Sequence, residues 1–257
     1  MITSKDNPVI KLYQRLSASK KERLQYGLFV LEGLRIVEDA IKEHGSITHI
    51  LITKQAYEKF GSLLDTDLGE AKVLLISNEL GNKIASTGTP QGIFAVCRIP
   101  QPHRMNFRKN GKYIVMFGLQ DPGNVGMIIR TADALGIDGI IMSGSCDLYS
   151  PKVIRSTMGS VFRMDIVNEN DPDELFAQLE ENNITSSAAV IDSDALDVTA
   201  VGFEGAQAVF IGNEGNGLPP EIAAKCSRRV IIPMNGTINS LNAAMAAGIL
   251  MWELMKH

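Results

Sequence analysis

The first hundred residues alternate between strand-like and helix-like patterns of apolar positions. Apolar residues at 9, 10, 12, 13 and 16 recur with helical spacing, and the opposite face is basic. Short apolar and β-branched runs predict strands at 29–33, 47–53, 72–77 and 92–99. Helical patterns lie between them at 34–43, 55–63 and 78–83. This alternation predicts a small α/β layered domain.

Residues 113–257 continue the alternation, which predicts an α/β fold with a mainly parallel sheet. Strands are predicted at 113–119, 139–143, 162–167, 187–191 and 207–211. Helices are predicted at 125–135, 150–160 and 171–181, with one more beginning at Pro219.

The end of the chain combines a buried strand, a polar loop and a helix of small residues. Val230–Ile232 is a β-branched run, and a polar loop at 233–239 follows it. Asn239 or Ser240 is predicted to cap a helix over about 241–255. Its first turns are almost all Ala or Gly, which lets another backbone or a flat ligand approach closely. An ordinary packing helix is the alternative, but it does not account for the polar loop.

Composition indicates an ordinary globular protein, with 45% hydrophobic and 21% charged residues in a chain of 257. No apolar run of about 18 residues occurs, so no transmembrane helix and no membrane partner are expected. The first residues lack an apolar signal core, so nothing suggests secretion. Three widely spaced cysteines without a CxxC pair argue against a zinc site or a disulfide framework. They predict a cytoplasmic location and no metal.

Positive charge is concentrated in two segments, although the whole chain carries −4. Residues 1–35 carry +4, so the remainder carries −8. The second segment, here called the basic segment (residues 98–112), holds five Lys or Arg and no acid. Local charge of this kind can hold phosphates even on an acidic protein. A solvated face followed by a linker is the alternative.

A glycine-rich turn follows the apolar strand that ends at Ile211. Turns at the carboxyl ends of parallel strands are where α/β proteins bind ligands. The glycines at 212, 215 and 217 form GxxGxG, which is not the dinucleotide fingerprint GxGxxG. No GxxxxGK[ST] occurs either, so a P-loop nucleotide site is disfavoured.

Three segments together are more specific than any single glycine pattern. In chain order they are FGLQDPGNVGMIIRTADALGIDGIIMSG (117–144), AVFIGNEGNGLPPEI (208–222) and IPMNGTINSLNAAMAAGI (232–249). They resemble, in order and spacing, the three motifs of the SpoU-type (TrmH-like) RNA ribose 2′-O-methyltransferases of the SPOUT superfamily. The third motif reads SLNAAMAAGI where the family usually has SLNVSVAAGI, a change that casts little doubt on cofactor binding.

The resemblance implies a methyltransferase domain at 113–257 that uses S-adenosylmethionine and contains a deep trefoil knot. It also implies an RNA-binding domain at 1–100, similar to a ribosomal-protein fold. The composition of 101–112 suggests a linker between the two. Seven cofactor-binding residues are implied by position: Gly212, Glu214, Gly215, Ile232, Met234, Leu241 and Asn242.

Transfer to a ribose hydroxyl needs help in removing a high-pKa proton, and histidine is the usual helper. All four histidines lie outside the motifs. The resemblance instead places Arg130 at the acceptor, with Asn124 six positions earlier. Because a guanidinium barely deprotonates in proteins, we expect Arg130 to bind the adjacent phosphate and stabilise the developing alkoxide. A surface arginine in a helical ion pair is the alternative.

Three further polar residues match catalytic motif positions. Glu214 either orients its loop or accepts a proton, and Ser240 is either a helix cap or catalytic. Asn242 is expected to contact cofactor or substrate. Seven residues are predicted to contact RNA. Three lie in a segment similar to the family: Lys152, Arg155 and Ser156. Four lie in the basic N-terminal stretch: Lys20, Lys21, Arg23 and Arg35.

The leading hypothesis is S-adenosylmethionine-dependent methyl transfer to a ribose 2′-hydroxyl of 23S-type ribosomal RNA. The alternatives are the same reaction on tRNA, a catalytically silent RNA-binding protein and a nicotinamide-dependent oxidoreductase. Intact Asn124, Arg130 and Asn242 argue against the silent protein, and the missing GxGxxG argues against the oxidoreductase. The resemblance also implies a homodimer in which Arg130 of one chain completes the cofactor pocket of the other.

Overall fold

A computed structural model describes residues 1–236 and 240–256. Its helices are α1 (Pro8–Ala18), α2 (Lys20–Tyr26), α3 (Leu34–Lys42), α4 (Lys54–Phe60), α5 (Asn78–Ile84), α6 (Pro122–Leu135), α7 (Pro151–Thr157), α8 (Pro172–Glu181), α9 (Pro220–Lys225) and α10 (Ala243–Leu254). Its strands are β1 (Leu28–Glu32), β2 (Ile47–Thr53), β3 (Lys72–Ile76), β4 (Ile93–Arg98), β5 (Lys112–Phe117), β6 (Gly139–Ser143), β7 (Ile166–Asn168), β8 (Thr185–Ala189), β9 (Leu196–Asp197), β10 (Gln207–Ile211) and β11 (Arg228–Ile231). No helix in this part of the chain is long and apolar enough to cross a membrane.

The chain forms two compact units. Unit 1 comprises Met1–Gln101 and Asp147–Phe162, and unit 2 comprises Pro102–Cys146 and Arg163–His257. This division differs from the predicted boundaries in two respects. The predicted linker at 101–112 lies almost entirely in unit 2, and α7, predicted within the C-terminal domain, packs in unit 1.

Unit 1 is built on a four-stranded sheet in the order β1-β4-β2-β3. β4 runs antiparallel to β1 and β2, whereas β2 and β3 are parallel. One face packs against α1 and α5 through residues such as Tyr13 and Leu80, and the other packs against α3. Segment 147–162 joins this second face because its apolar side chains lie in the same cluster: the ring of Tyr149 is 4.9 Å from that of Phe29.

Arg23 lies on α2, a helix that the apolar pattern did not predict. Its side chain is only 6% exposed, and its Nε and Nη2 lie 2.9 and 2.7 Å from Asp147 Oδ2. Its Nη1 donates to the carbonyl oxygens of Leu16 and Ser17 at the end of α1. The predicted RNA contact of Arg23 is therefore corrected, because its guanidinium is enclosed within unit 1.

Unit 2 contains a seven-stranded sheet in the order β7-β6-β5-β10-β8-β11-β9. Every described strand pair in it is parallel, which confirms the predicted mainly parallel sheet. α8 and α9 pack on one core cluster through Leu175, Leu179 and Ile222, while α6 and α10 pack against each other. Parallel pairing brings the carboxyl ends of β8, β10 and β11 to one edge of the sheet.

The part of the basic segment after residue 101 is an ordered element of unit 2. Met105 is 6% exposed within the core, and the ring of Phe107 packs edge-on against Tyr113 at 4.9 Å. Three of its cations have partners in unit 2: Arg104 with Glu174 at 2.7 Å, Arg108 with Asp138 at 2.6 Å, and Lys112 with the carbonyl oxygens of Phe203 and Gly205. These pairs correct the interpretation of the whole segment as a phosphate-binding patch.

α10 begins two residues later than predicted. Asn242 is its cap, because its Oδ1 accepts hydrogen bonds from the main-chain N–H of Ala244 at 2.9 Å and Met245 at 3.2 Å. Ser240 is therefore not the cap, and the other candidate, Asn239, lies outside the described residues. Close packing between α6 and α10 is possible because Gly248 faces Thr131 of α6.

Candidate active site

A cavity of about 550 Å³ lies at the carboxyl edge of the unit 2 sheet. Its walls are the glycine-rich turn after β10, the ends of β8 and β11, and the start of α10. Seven residues predicted as cofactor-binding or catalytic line it: Gly212, Glu214, Gly215, Ile232, Met234, Ser240 and Leu241. The structure thus brings residues of the second and third motifs together around one space.

The glycine-rich turn is held by its own hydrogen bonds. Asn213 exchanges two main-chain bonds with Gly217, at 3.0 and 2.9 Å, and its Oδ1 accepts from the N–H of Gly215 at 2.9 Å. Any Cβ on Gly212 would overlap main-chain atoms of Gly217 and Leu218. Gly217 has φ +68°, which favours glycine. The sequence-based prediction did not include Asn213, although Asn in a glycine-rich turn indicates such side-chain to main-chain bonds.

The cavity suits a ligand that is largely flat and apolar but needs a few fixed hydrogen bonds. Ala243 and Ala246 of α10 line one side, and Leu218 and Leu250 add apolar surface. Sequence reasoning found the small residues of α10 but not which of them face the cavity. Its volume is in the range of about 300–1,000 Å³ typical of cofactor sites. Main-chain groups of the turn and of Ile232 provide donors and acceptors, so the residues present fit adenosine and its attached methionine.

A chain of hydrogen bonds joins the three motifs. Asn242 Nδ2 donates to Asn124 Oδ1 at 3.0 Å, and Asn124 Nδ2 donates to Glu214 Oε1 at 3.1 Å. The carboxylate also accepts from the main-chain N–H of Gln120 at 3.1 Å and of Asp121 at 2.9 Å. Asn124 and Asn242, which are 118 positions apart in the sequence, are thereby held together at the starts of α6 and α10.

The pKa of Glu214 is held below its ordinary value. Burial acts to raise it, but the hydrogen bonds from Asp121, Gln120 and Asn124 outweigh that effect. The positive end of α6 favours the same charged form. A carboxylate with a lowered pKa is a weaker base, so this geometry supports the orienting role of Glu214 over the proton-accepting one.

Comparison with known proteins places this site in a family. Residues 111–252 match the model of the SpoU rRNA Methylase family, a range that covers more than half of the chain and all three motifs. The chain belongs to the SpoU rRNA methylase family. Residues 7–95 match a second model, described as an MRM3-like substrate binding domain.

Individual SpoU relatives align over nearly the whole chain. The 23S rRNA (guanosine(2553)-2′-O)-methyltransferase RlmP of Bacillus subtilis is 31% identical over 98% of each protein. The 23S rRNA (uridine(2479)-2′-O)-methyltransferase of Streptomyces viridochromogenes is 31% identical over 100% of this chain and 92% of its own length. The crystal structure of the SpoU methyltransferase AviRb from S. viridochromogenes, in complex with AdoMet, superposes with a TM-score of 0.88 at 28% identity, over 97% of each chain.

Three predicted catalytic residues, Arg130, Asn124 and Asn242, do not line the cavity in the described chain. Arg130 is exposed on α6, and Asn124 reaches the site only through Glu214 and Asn242. Within the described residues no ion pair of Arg130 occurs, so the predicted alternative of a helical ion pair finds no support. Asn242, also predicted to bind cofactor, is likewise absent from the lining because its amide caps α10.

The predicted RNA-contact residues of this SpoU chain all lie in unit 1. Lys20, Lys21, Arg35 and Lys152 are exposed. Arg155 donates to Ser86 Oγ at 2.8 Å, which places α7 beside the loop before β4. The hydroxyl of Ser156 donates to the main chain of Lys152 at 2.9 Å, so that hydroxyl serves its own helix.

Proposed function

We propose that this protein transfers the methyl group of S-adenosylmethionine to a ribose 2′-hydroxyl of ribosomal RNA. The observation that carries the proposal is a cavity assembled from the motifs and tied together by Glu214, Asn124 and Asn242. S-adenosylmethionine, when bound, supplies an electrophilic methyl group on a sulfonium. The protein holds that group and presents the ribose oxygen in line with it.

The residues divide between holding the cofactor and holding the acceptor. The main chain of Gly212, Ile232 and Leu241 binds the adenosine and methionine parts. Glu214 keeps the turn against the start of α6. Arg130 binds the phosphate next to the acceptor ribose and stabilises the oxygen as its proton passes to solvent water.

The substrate is 23S-type ribosomal RNA rather than tRNA. Two relatives named as 23S rRNA methyltransferases match the whole chain, including the part that forms unit 1. The match of residues 7–95 to a substrate binding domain supports RNA recognition by that part. A ribosomal RNA substrate and three free cysteines in the described chain support a cytoplasmic location.

The active form is a homodimer. Arg130 is exposed and does not line its own cavity, so a second copy is needed to bring an arginine to the acceptor. α6 and α10 also carry exposed apolar side chains, Met127 at 51%, Met245 at 63% and Trp252 at 57%. A second copy that covers these helices buries that surface and places the partner's Arg130 at the cavity.

Methyl transfer from radiolabelled S-adenosylmethionine tests the proposal. The acceptors are 23S rRNA, 16S rRNA and tRNA, each purified from a strain that lacks the gene. We expect label in 23S rRNA at one nucleotide, with the adjoining phosphodiester bond resistant to alkali because its 2′-hydroxyl is blocked. Label in tRNA alone would show that the substrate is tRNA instead. If the protein binds the cofactor but labels no RNA, the result would favour a catalytically silent RNA-binding protein.

A further inference from the structure

Unit 1 contains a second cavity, of about 570 Å³, that the methyl-transfer site does not use. It lies at one end of the unit 1 sheet, where β2 and β3 begin and β4 ends. The turn after α3 and the segment 67–70 before β3 form its rim. Its size is that of a nucleotide-binding pocket rather than a surface dimple.

Three basic side chains line this cavity from three adjacent strands: His49 of β2, Lys72 of β3 and Arg98 of β4. His49 and Lys72 are direct neighbours in the strand register. Because side chains alternate along a strand, these three residues share the face that carries Leu51, Leu74 and Val96. They therefore form a row of positive groups at the point where the apolar core beneath α1 and α5 ends.

The rest of the lining does not suit a bare inorganic anion. Ile41, Ile47 and Leu68 contribute apolar surface, and Glu70 contributes a carboxylate. The other acid, Asp67, is engaged locally, since its Oδ1 accepts from the N–H of Gly69 at 2.9 Å. The cations match a phosphate group, the apolar wall matches a flat ring, and the Glu70 carboxylate matches a hydroxyl or amino donor of the same ligand.

His44 lies on the rim in a conformation that side chains rarely adopt. Its φ is +51°, in the left-handed region that favours glycine. Glycine at position 44 would adopt this conformation with less strain. Gly45 follows directly, and its N–H donates to the carbonyl oxygen of Ala40. A strained residue with a functional side chain is an observation that motivates a binding role.

We propose that this cavity binds one nucleotide of the RNA substrate, outside the methylated position. The phosphate contacts Lys72, Arg98 and His49, and the ribose and base lie against Ile47 and Leu68 with a donor directed at Glu70. The inference rests on the proposed function, because it assumes that the substrate is RNA. It adds a second point of attachment, in unit 1, that fixes which part of a large RNA the enzyme engages.

Proton uptake should accompany this contact. Burial and the nearby Lys72 lower the pKa of His49, so the free imidazole is neutral at pH 7. Its Nδ1 lies 3.1 Å from Thr48 Oγ1, which donates to Val96 O, so Nδ1 carries the proton and Nε2 remains to accept one. The charged and titratable groups around it are Lys72, Arg98, His44, Asp67 and Glu70. A bound phosphate favours the imidazolium, so RNA affinity should rise as pH falls from 7.5 to 6.

The decisive experiment compares two full-length double variants of equal charge. Lys72→Gln with Arg98→Gln removes the cations of the cavity, and Lys54→Gln with Lys59→Gln removes two exposed lysines of α4 outside it. Fluorescence anisotropy measures the Kd for labelled 23S rRNA fragments across a salt series. We expect the first variant to bind about tenfold more weakly, with the slope of log Kd against log salt reduced by roughly 0.7, the value for one phosphate contact. The control should stay within about twofold.

Other measurements separate failure of this site from failure of the proposed function. S-adenosylmethionine affinity should be equal in all the proteins. A wild-type protein that neither binds nor methylates RNA would overturn both proposals. RNA binding by wild type, with both double variants affected equally, would overturn the nucleotide site alone. Binding of free AMP or GMP to the cavity as tightly as RNA would show that it serves a free nucleotide instead.

A second variant keeps the test valid if loss of Lys72 and Arg98 disturbs folding. His44→Gly places the residue that the turn favours, so thermal stability should be maintained or increased. RNA affinity should nevertheless fall about threefold, and its pH dependence should persist because His49 is intact. An RNA affinity of His44→Gly equal to that of wild type would remove His44 from the site. If, in addition, the RNA affinity of His49→Gln kept the pH dependence of wild type, the two results together would overturn the proposal.

Discussion

The glycine-rich turn of unit 2 and the basic segment are held by interactions of different range. In the turn, Asn213 bonds to Gly215 and Gly217, two to four residues away, while its Nδ2 reaches Gly118 O and Glu214 reaches the start of α6. In the basic segment, Arg104 pairs with Glu174, and Lys112 with carbonyls about 90 residues away. Bonds among its own residues close the turn and long-range bonds position it, whereas the side chains of the basic segment are held by partners distant in the sequence.

This difference explains why the two regions differ in whether their residues can still bind a ligand. The turn is closed by bonds among its own residues, is positioned by Asn213 and Glu214, and lines the cavity. Three of the four cations of the basic segment in unit 2 pair with carboxylates and carbonyls of the same unit. Charge in a sequence is therefore a weaker guide to a binding surface than a turn with defined backbone geometry.

The largest effect is expected for Arg130, whose proposed role is to act on the acceptor in the cavity of a second copy. Arg130→Ala should lower the rate of methyl transfer about 100- to 1,000-fold, as loss of a group that stabilises developing charge does. S-adenosylmethionine affinity should be nearly unchanged. Single-turnover methylation and calorimetry measure the two quantities. A large loss of cofactor binding, with folding intact, would assign Arg130 to the cofactor side instead.

Heterodimers test whether Arg130 acts across the dimer. A chain with Arg130→Ala and a chain with Gly212→Ala, co-expressed with different tags, should recover up to half of wild-type activity per dimer. One site then combines the intact turn of the first chain with the intact arginine of the second. Activity no higher than that of the parental homodimers would mean that each site is built within one chain.

Gly212→Ala tests the local character of the turn. The added Cβ overlaps the main chain of Gly217 and Leu218, so the turn must open. We expect S-adenosylmethionine affinity to fall about 100-fold, or about 2.8 kcal/mol. Gly202→Ala is the matched control, because nothing lies within 4 Å of a Cβ there and Gly202 does not line the cavity. Equal losses in both variants would show that the loss does not come from opening the turn.

The contrast between local and long-range interactions also separates the features of the fold that were predictable from those that were not. β2 was predicted with its observed bounds, because periodicity is a local property. The start of α10 was not, since Asn239, Ser240 and Asn242 can each cap a helix and the bond between Asn242 and Asn124 is not visible in the local sequence. The trefoil knot stays a prediction from family resemblance.

The cofactor site was more predictable than the RNA-contact surface for the same reason. Six of the seven predicted cofactor residues line the cavity, since motif spacing carries over with the backbone. α2 was missed because it is short and lacks apolar periodicity. Its Arg23 looked like its neighbours Lys20 and Lys21 until the fold placed Asp147, 124 residues away, beside it.

Arg23→Lys sharpens this distinction between a cation that stabilises the fold and cations that bind RNA. Lysine cannot reproduce the two bonds to Asp147 together with those to the end of α1, so the free energy of unfolding should fall by about 1–2 kcal/mol. Urea unfolding measures it. The control, Lys20→Gln with Lys21→Gln, should change stability by less than about 0.5 kcal/mol but weaken RNA binding. The opposite pattern would restore Arg23 as a phosphate contact.

The smallest effect is expected for Glu214→Gln, which keeps the shape of the side chain and removes its charge. Because the residue is exposed, we expect a loss of only about 0.5–1 kcal/mol at pH 7. Its pKa in the folded state lies below that in the unfolded state, so the carboxylate stabilises the fold above the unfolded pKa of about 4.3. That stability is lost as pH falls through the folded pKa. The difference in urea unfolding between wild type and variant should therefore shrink below about pH 4. If Glu214→Gln instead keeps its stability and cofactor affinity but loses methyl transfer, Glu214 accepts the proton, and the long-range bond chain is a catalytic device rather than a structural one.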